Sequence, residues 1–85
     1  MKQLTAIKDK KLNQYVHFVV VEGLATAERA FQANVNNPET TWHQWPEDFS
    51  LHVLGSIDDE TGEITPTYPP VTIAEATQVI QKVAE

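Results

Sequence analysis

Residues 15–22, YVHFVVVE, constrain the fold of this chain more than any other stretch. β-Branched and aromatic side chains fill the run, and they fit a pleated surface better than a helix. It therefore reads as a strand. Strict alternation puts Val16, Phe18 and Val20 on one face and Tyr15, His17, Val19 and Val21 on the other. Both faces are largely apolar, which a strand covered on one side does not need. The strand is either central in its sheet or meets another subunit with its second face.

The neighbouring segments complete an alternating plan. Residues 2–8 read as a first strand, followed by a turn at 9–13. Residues 24–36 read as a helix. Leu24, Ala27, Phe31 and Val35 form one stripe at helical spacing, Ala25, Ala30 and Ala33 support the helix, and Asn36, Asn37 and Pro38 stop it. Residues 38–47 are polar apart from two tryptophans and read as a loop. Residues 49–57 read as a strand with Phe49, Leu51 and Val53 on one face. DDETGE, residues 58–63, reads as a hairpin turn in which Gly62 takes a positive φ, with a short strand after it. Pro66, Pro69 and Pro70 predict an extended connector over 66–71. TIAE, residues 72–75, matches a capping box and predicts a C-terminal helix with Ile73, Ala76, Ile80 and Val83 on its apolar stripe. The expected fold is α+β: a small antiparallel sheet with helices, in the order ββαββα, in one domain over 1–85.

Size and charge narrow the function. A chain of 85 residues buries a modest share of its surface and gains from self-association. It has no cysteine, so disulfides and thiolate metal sites are excluded. A homo-oligomer is expected, a symmetric dimer being the commonest form. The net charge of -6 disfavours non-specific attraction to nucleic acid. The basic residues are nevertheless polarised: Lys2, Lys8, Lys10 and Lys11 precede Arg29 and Lys82, while acidic residues gather at 58–63. The N-terminal lysines form either a local basic patch or a solvated turn. No apolar run approaches the ~20 residues of a membrane span, and no signal-peptide core is visible, so no membrane partner is expected.

No catalytic constellation emerges. His17 and His52 fall in predicted strands, and with His43 they show no zinc-ligand spacing. Glycine-rich phosphate loops are absent, Ser50 and Ser56 lack a base, and the acidic turn lacks EF-hand spacing. The expectation is a protein that is not an enzyme and uses no cofactor or metal. Aromatic residues beside lysines are the better lead, because single-stranded nucleic acid is held by base stacking next to a basic groove. The candidate nucleic-acid-binding residues are Lys8, Lys10, Lys11, Arg29, Tyr15 and Trp42, with Trp45 and Tyr68 further candidates for stacking. Trp45, next to Pro46, is expected in the core with Phe49, and Trp42 is expected to be the more open tryptophan.

ERAFQANVNNP followed by WPEDFSLHVLGSIDDETGEI resembles the small non-structural protein of gokushovirus-type microviruses, phages with circular single-stranded DNA genomes. The shared features are Asp9 and Lys10, Arg29 to Phe31, Pro46 to Phe49, Leu54 and Gly55, and the turn 58–63, in that order and spacing. The resemblance covers residues 2–64. It implies a phage protein in the host cytoplasm that binds DNA or helps switch replication toward single-stranded genomes, and it brings no catalytic residues. Two readings follow. The first is single-stranded DNA binding by one basic, aromatic face of an oligomer. The second is a protein–protein adaptor for the phage replication initiator, a capsid component or a host replication factor, with the acidic hairpin and the exposed tryptophan as its contact surface.

Overall fold

Two aspartates make the two hairpins of this chain. The Asp9 carboxylate accepts the backbone N–H of Lys11 at 3.1 Å and of Leu12 at 3.2 Å. Asn13, with φ 57°, completes the reversal. The Asp58 carboxylate accepts the N–H of Glu60 at 2.9 Å, the Gly62 N–H reaches the Asp58 carbonyl at 2.7 Å, and Gly62 takes φ 79°. These bonds turn the chain locally and leave the flanking residues free to pair as strands.

The computed structural model describes residues 1–80. The order is β1 (Lys2–Asp9), β2 (Gln14–Val21), α1 (Leu24–Val35), α2 (Thr41–Gln44), a 3₁₀ turn (Pro46–Asp48), β3 (Phe49–Ile57), β4 (Ile64–Glu75) and α3 (Ala76–Val79). The strands form one antiparallel sheet in the order β2-β1-β3-β4. The α+β class and the ββαββα order hold, with two short helical turns inserted before β3. The loop expected over 38–47 carries them. Thr40 caps α2 by accepting the His43 N–H at 3.2 Å, and Pro46 opens the 3₁₀ turn where its missing N–H costs nothing.

The core lies on one side of the sheet. Ala27, Phe31 and Val35 of α1 pack on Ile7, Phe49, Leu51, Ala74 and Ala76, with Trp42, Val79 and Ile80 closing the end. Asn36 ties the helical layer together by donating to the Gln32 carbonyl at 2.8 Å and the Val79 carbonyl at 3.1 Å.

Two expectations at the C-terminal end are corrected. Residues 66–71 are not a connector but part of β4, where Pro66 faces Gly55 and Val71 faces Val53. One residue of β3, Leu54, therefore spans the stretch 67–70 of β4, which bulges outward and includes the cis Tyr68–Pro69 peptide. Prolines are tolerated there because β4 is an edge strand and the bulge asks for no ladder N–H. The C-terminal helix also starts later than TIAE predicts. Thr72, Ala74 and Glu75 pair with His52, Leu51 and Ser50, so sheet hydrogen bonding claims the segment. The capping box is real but sits one turn on, with Glu75 as N-cap and Gln78 as its partner. Of the predicted stripe, Ala76 is buried and Ile73 and Ile80 pack on the core, while Val83 lies outside the described residues.

Gly55 follows the extra residue that β3 inserts opposite β1 at Leu54, where Leu4 pairs with Gly55 and Thr5 with Val53. A Cβ at Gly55 would sit 2.6 Å from the Thr65 carbonyl oxygen and 3.2 Å from Pro66 Cα. Both are backbone atoms, so a methyl would force β3 and β4 apart. Gly55→Ala is expected to destabilise the chain by about 1–3 kcal/mol, the usual cost of overpacking, read as a lower urea midpoint.

Candidate nucleic-acid interface

A β-bulge in β2 decides which side chains share the uncovered face. Thr5 pairs with Val19 and Ile7 with Val16, so β2 carries one residue more than β1 over this stretch. The irregularity centres on His17, which takes φ 53°. Histidine is one of the few residues with a side chain that enter this region readily. The bulge reverses the phase of alternation. Val16, His17, Val19 and Val21 face the helical layer: Val16 packs on the core, and the other three line a cavity with Thr26, Ala27 and Phe31. Tyr15, Phe18 and Val20 face the opposite side. Strict alternation had grouped Phe18 with Val16 and Tyr15 with Val19, and the extra residue overturns both groupings.

On the helix-free face the polar end is a compact cluster. Lys8 and Tyr15 are cross-strand partners, and the Lys8 ammonium lies 4.5 Å from the Tyr15 ring centroid. The Tyr15 ring meets His52 edge-to-face at 5.5 Å. His52 bonds the Ser50 hydroxyl through Nε2 at 2.7 Å and the Thr72 hydroxyl through Nδ1 at 3.3 Å. Hydroxyls both donate and accept, so either neutral tautomer is satisfied. Beside the cluster Phe18 is 60% exposed and Val20 47% exposed. The result is a lysine poised over one aromatic ring, with a second ring open on the same sheet surface. A cation–π pair of this kind leaves the ammonium free to meet an anion, since it accepts no hydrogen bond from the lysine.

The sequence-derived candidates divide. The structure brings Lys8 and Tyr15 together. Lys10 stands nearby but donates to Glu75 at 2.6 Å, so part of its charge is already answered. Lys11 is exposed in the β1–β2 turn. Arg29 is exposed on α1, two residues from both Ala27 and Phe31, and so projects from the opposite layer, away from Tyr15. Trp42 is also on the helical side, half-buried, with ring contacts to His17 at 5.2 Å and Phe49 at 6.4 Å. The expected roles of the tryptophans are exchanged: Trp42 completes the core, and Trp45 is 54% exposed. The reason is local. The α2 turn begins at Thr41 and ends at Gln44, so Trp42 is carried onto Phe49 while Trp45 becomes the junction to Pro46. Trp45 then lines a shallow depression of about 440 Å³ with Lys11, Leu12, Asp9 and Asp48.

Sequence reasoning missed Phe18, His52 and Trp45 as exposed or clustered ring systems on this end. Phe18 could not be placed without the bulge. His52 was visible only as a polar residue in an apolar strand. Among the described residues no group of three His or acidic side chains converges as metal ligands, and no helix is long and apolar enough to cross a membrane.

A family model described as Phage ORF5 protein matches residues 2–79. The chain belongs to that family. It is a phage protein, and the match extends past the hairpin through the proline-bearing strand to α3. No curated protein and no solved structure matches it.

Burial lowers the pKa of His52 below its ordinary 6.5, Glu75 opposes that shift, and Lys8 and Lys10 reinforce it. Above about pH 6.5 both folded and unfolded chains hold His52 neutral, and it contributes no pH dependence. As the pH falls below that value the unfolded chain binds the proton first, so stability is lost until folded His52 also protonates. The urea midpoint of the native chain is therefore expected to drop on going from pH about 7.5 to about 5.5, and to drop less in His52→Gln.

Proposed function

We infer that this phage protein is a non-enzymatic replication protein of a single-stranded DNA phage of the microvirus type, acting in the host cytoplasm during genome synthesis. It binds single-stranded DNA on the helix-free face of its sheet, as a homo-oligomer. The observation that carries this reading is the Lys8 ammonium 4.5 Å above the Tyr15 ring, with Phe18 exposed beside it. Bases stack on exposed rings whatever their identity, each stacked base contributing about 1–3 kcal/mol, and a lysine held over one face of a neighbouring ring meets the adjoining phosphate. The resemblance of residues 2–64 to the microvirus non-structural protein supports the same class of target.

The net charge of -6 means that this face has to work locally. Lys8 and Lys11 make no ion pair among the described residues, whereas Lys2 meets Glu22 at 3.2 Å and Lys10 meets Glu75. With two lysines engaged per subunit, the affinity for a single strand falls with salt at a log–log slope of about -1.4. If Lys10 also left Glu75 for phosphate, the slope would be about -2.

A fluorescent oligonucleotide titrated by anisotropy tests the reading. Tyr15→Ala and Phe18→Ala are each expected to weaken binding about tenfold, the value of one lost stacking contact. Lys8→Ala should lower the salt slope, and Arg29→Ala should change nothing. Absence of binding at low salt even near 10⁻⁴ M protein, where roughly non-specific complexes form, would rule the reading out.

A second reading is favoured by one feature. Tyr68 is 89% exposed at the tip of the 67–70 bulge, on the far edge from Tyr15. A protruding aromatic of this kind suits the adaptor role toward a phage initiator, a capsid component or a host replication factor. Tyr68→Ala would then abolish partner capture and leave the oligonucleotide titration unchanged.

A further inference from the structure

Two turns distant in sequence are tied together where β1 ends and β3 begins. The Lys10 N–H donates to the Asp48 carbonyl at 2.8 Å, and the Asp48 N–H donates to the Trp45 carbonyl at 3.0 Å. Asp9 accepts the N–H groups of Lys11 and Leu12. These bonds fix the walls of the depression of about 440 Å³ that holds Trp45. Trp45, Leu12 and Phe49 supply its apolar surface, with Trp45 54% exposed. Asp48 and Lys11 line it as polar groups. The Asp48 carboxylate is half-buried, and among the described residues it makes no hydrogen bond or ion pair. The Lys11 ammonium makes none either. An apolar floor with a few polar groups, at this size, is the usual make-up of a small-ligand site.

We propose that this depression is a guanine pocket, in which one base of a bound single strand stacks on Trp45, sets its Watson–Crick edge on the Asp48 carboxylate and leaves its phosphate to Lys11. This deepens the DNA-binding reading above and rests on it for the strand that carries the base.

The polar groups assign the parts of the nucleotide. A phosphate is repelled by Asp48 and finds its only cation of the depression at Lys11. A base is neutral, and any base stacks on an open indole. Its edge then decides. An ionised carboxylate only accepts hydrogen bonds, and it takes two parallel N–H donors side by side. Asp9 has already given one oxygen to backbone N–H groups, whereas Asp48 has both free among the described residues. Guanine presents such a donor pair, its ring N–H and its amino group, on one edge. Adenine, cytosine and thymine each set an acceptor beside their donor there, and that acceptor would oppose the second carboxylate oxygen. An arginine of a protein partner would also stack on an indole beside a carboxylate, but Lys11 in the same depression opposes a second cation.

The depression also lies on the path of the strand. Lys8 stands over Tyr15 on the helix-free face, and the next residue, Asp9, lines the depression, so the two sites are back to back at one end of β1. An oligonucleotide that leaves the Tyr15 ring around the 9–13 turn passes Lys11 on its way to Trp45.

The chain has two tryptophans, so two indole N–H signals report on it by NMR, and Trp45→Phe assigns them. Deoxyguanosine monophosphate alone is expected to move the Trp45 signal and to leave that of Trp42 in place. By anisotropy, replacing one thymine of an oligothymidine with guanine should tighten binding about tenfold, the value of one bidentate base contact. Asp48→Asn should erase that preference and still bind the oligothymidine as tightly as the native chain. Trp45→Ala, with its fold verified by circular dichroism, should weaken both oligonucleotides about tenfold. An unmoved Trp45 signal at millimolar nucleotide, or a guanine preference that survives Asp48→Asn, would overturn the pocket. So would an arginine peptide that moves the signal where the nucleotide does not, which would give the depression to a cationic protein partner. If oligothymidine binding depends on Tyr15 and Phe18, while guanine and Trp45 add nothing, the pocket falls and the DNA-binding face stands. If the nucleotide moves the Trp45 signal but Tyr15→Ala and Phe18→Ala change no binding, the pocket stands and the helix-free face falls.

Discussion

The structure depends on a single apolar helical stripe. Ala27, Phe31 and Val35 of α1 are buried against Ile7, Phe49 and Leu51, and a helix with one such stripe can cover only one face of a sheet. The remaining helical turns do not relieve the shortage. Trp42 of α2 and Val79 at the end of α3 join the same layer, beside the C-terminal end of α1. A four-stranded sheet is thus left with one face covered and one open. The open face is where Lys8, Tyr15, Phe18 and His52 stand, so the candidate interface is a consequence of how little helix the chain has.

Extra residues in the strands then choose what that open face displays. The bulge at His17 carries Phe18 and Val20 to the side of Tyr15. The inserted Leu54 shifts β3 against β1 and brings Gly55 under the Thr65 carbonyl, where no larger residue fits. The 67–70 bulge keeps β4 at the edge and throws Tyr68 outward. Each insertion costs a ladder contact and re-aims a side chain. The same devices make the edges unequal, since β4 is blunted along its proline-bearing stretch and β2 only at His17.

Electrostatics act at short range here. Within the acidic turn 58–63, Asp58 is held ionised below its usual range chiefly by the N–H groups of Glu60 and Thr61. Lys2 and Lys10 are answered by Glu22 and Glu75. Among the described residues the lysines without an ion pair are Lys8 and Lys11, at one end of the sheet and close to aromatic rings, while Arg29 stands on the helical side. A polyanion would meet those two charges before the diffuse negative field, provided it follows the open face.

Much of this was legible in the residues alone. The strand at 49–57, the Asp58 hairpin with Gly62 at positive φ, the helix from Leu24 and the order ββαββα follow from local rules, because turn chemistry and periodicity act over a few residues. The phage origin was legible for the same reason, through short motifs in fixed order. Three things were decided only by tertiary structure. Sheet pairing overrode the capping-box signal at 72–75, since ladder bonds to β3 satisfied the same backbone groups. Packing on Phe49 chose Trp42 over Trp45 for the core, a choice that depends on where α2 sets each ring. The bulge at His17 fixed which aromatics share a face with Lys8, because alternation is a local rule and an inserted residue is placed by the partner strand.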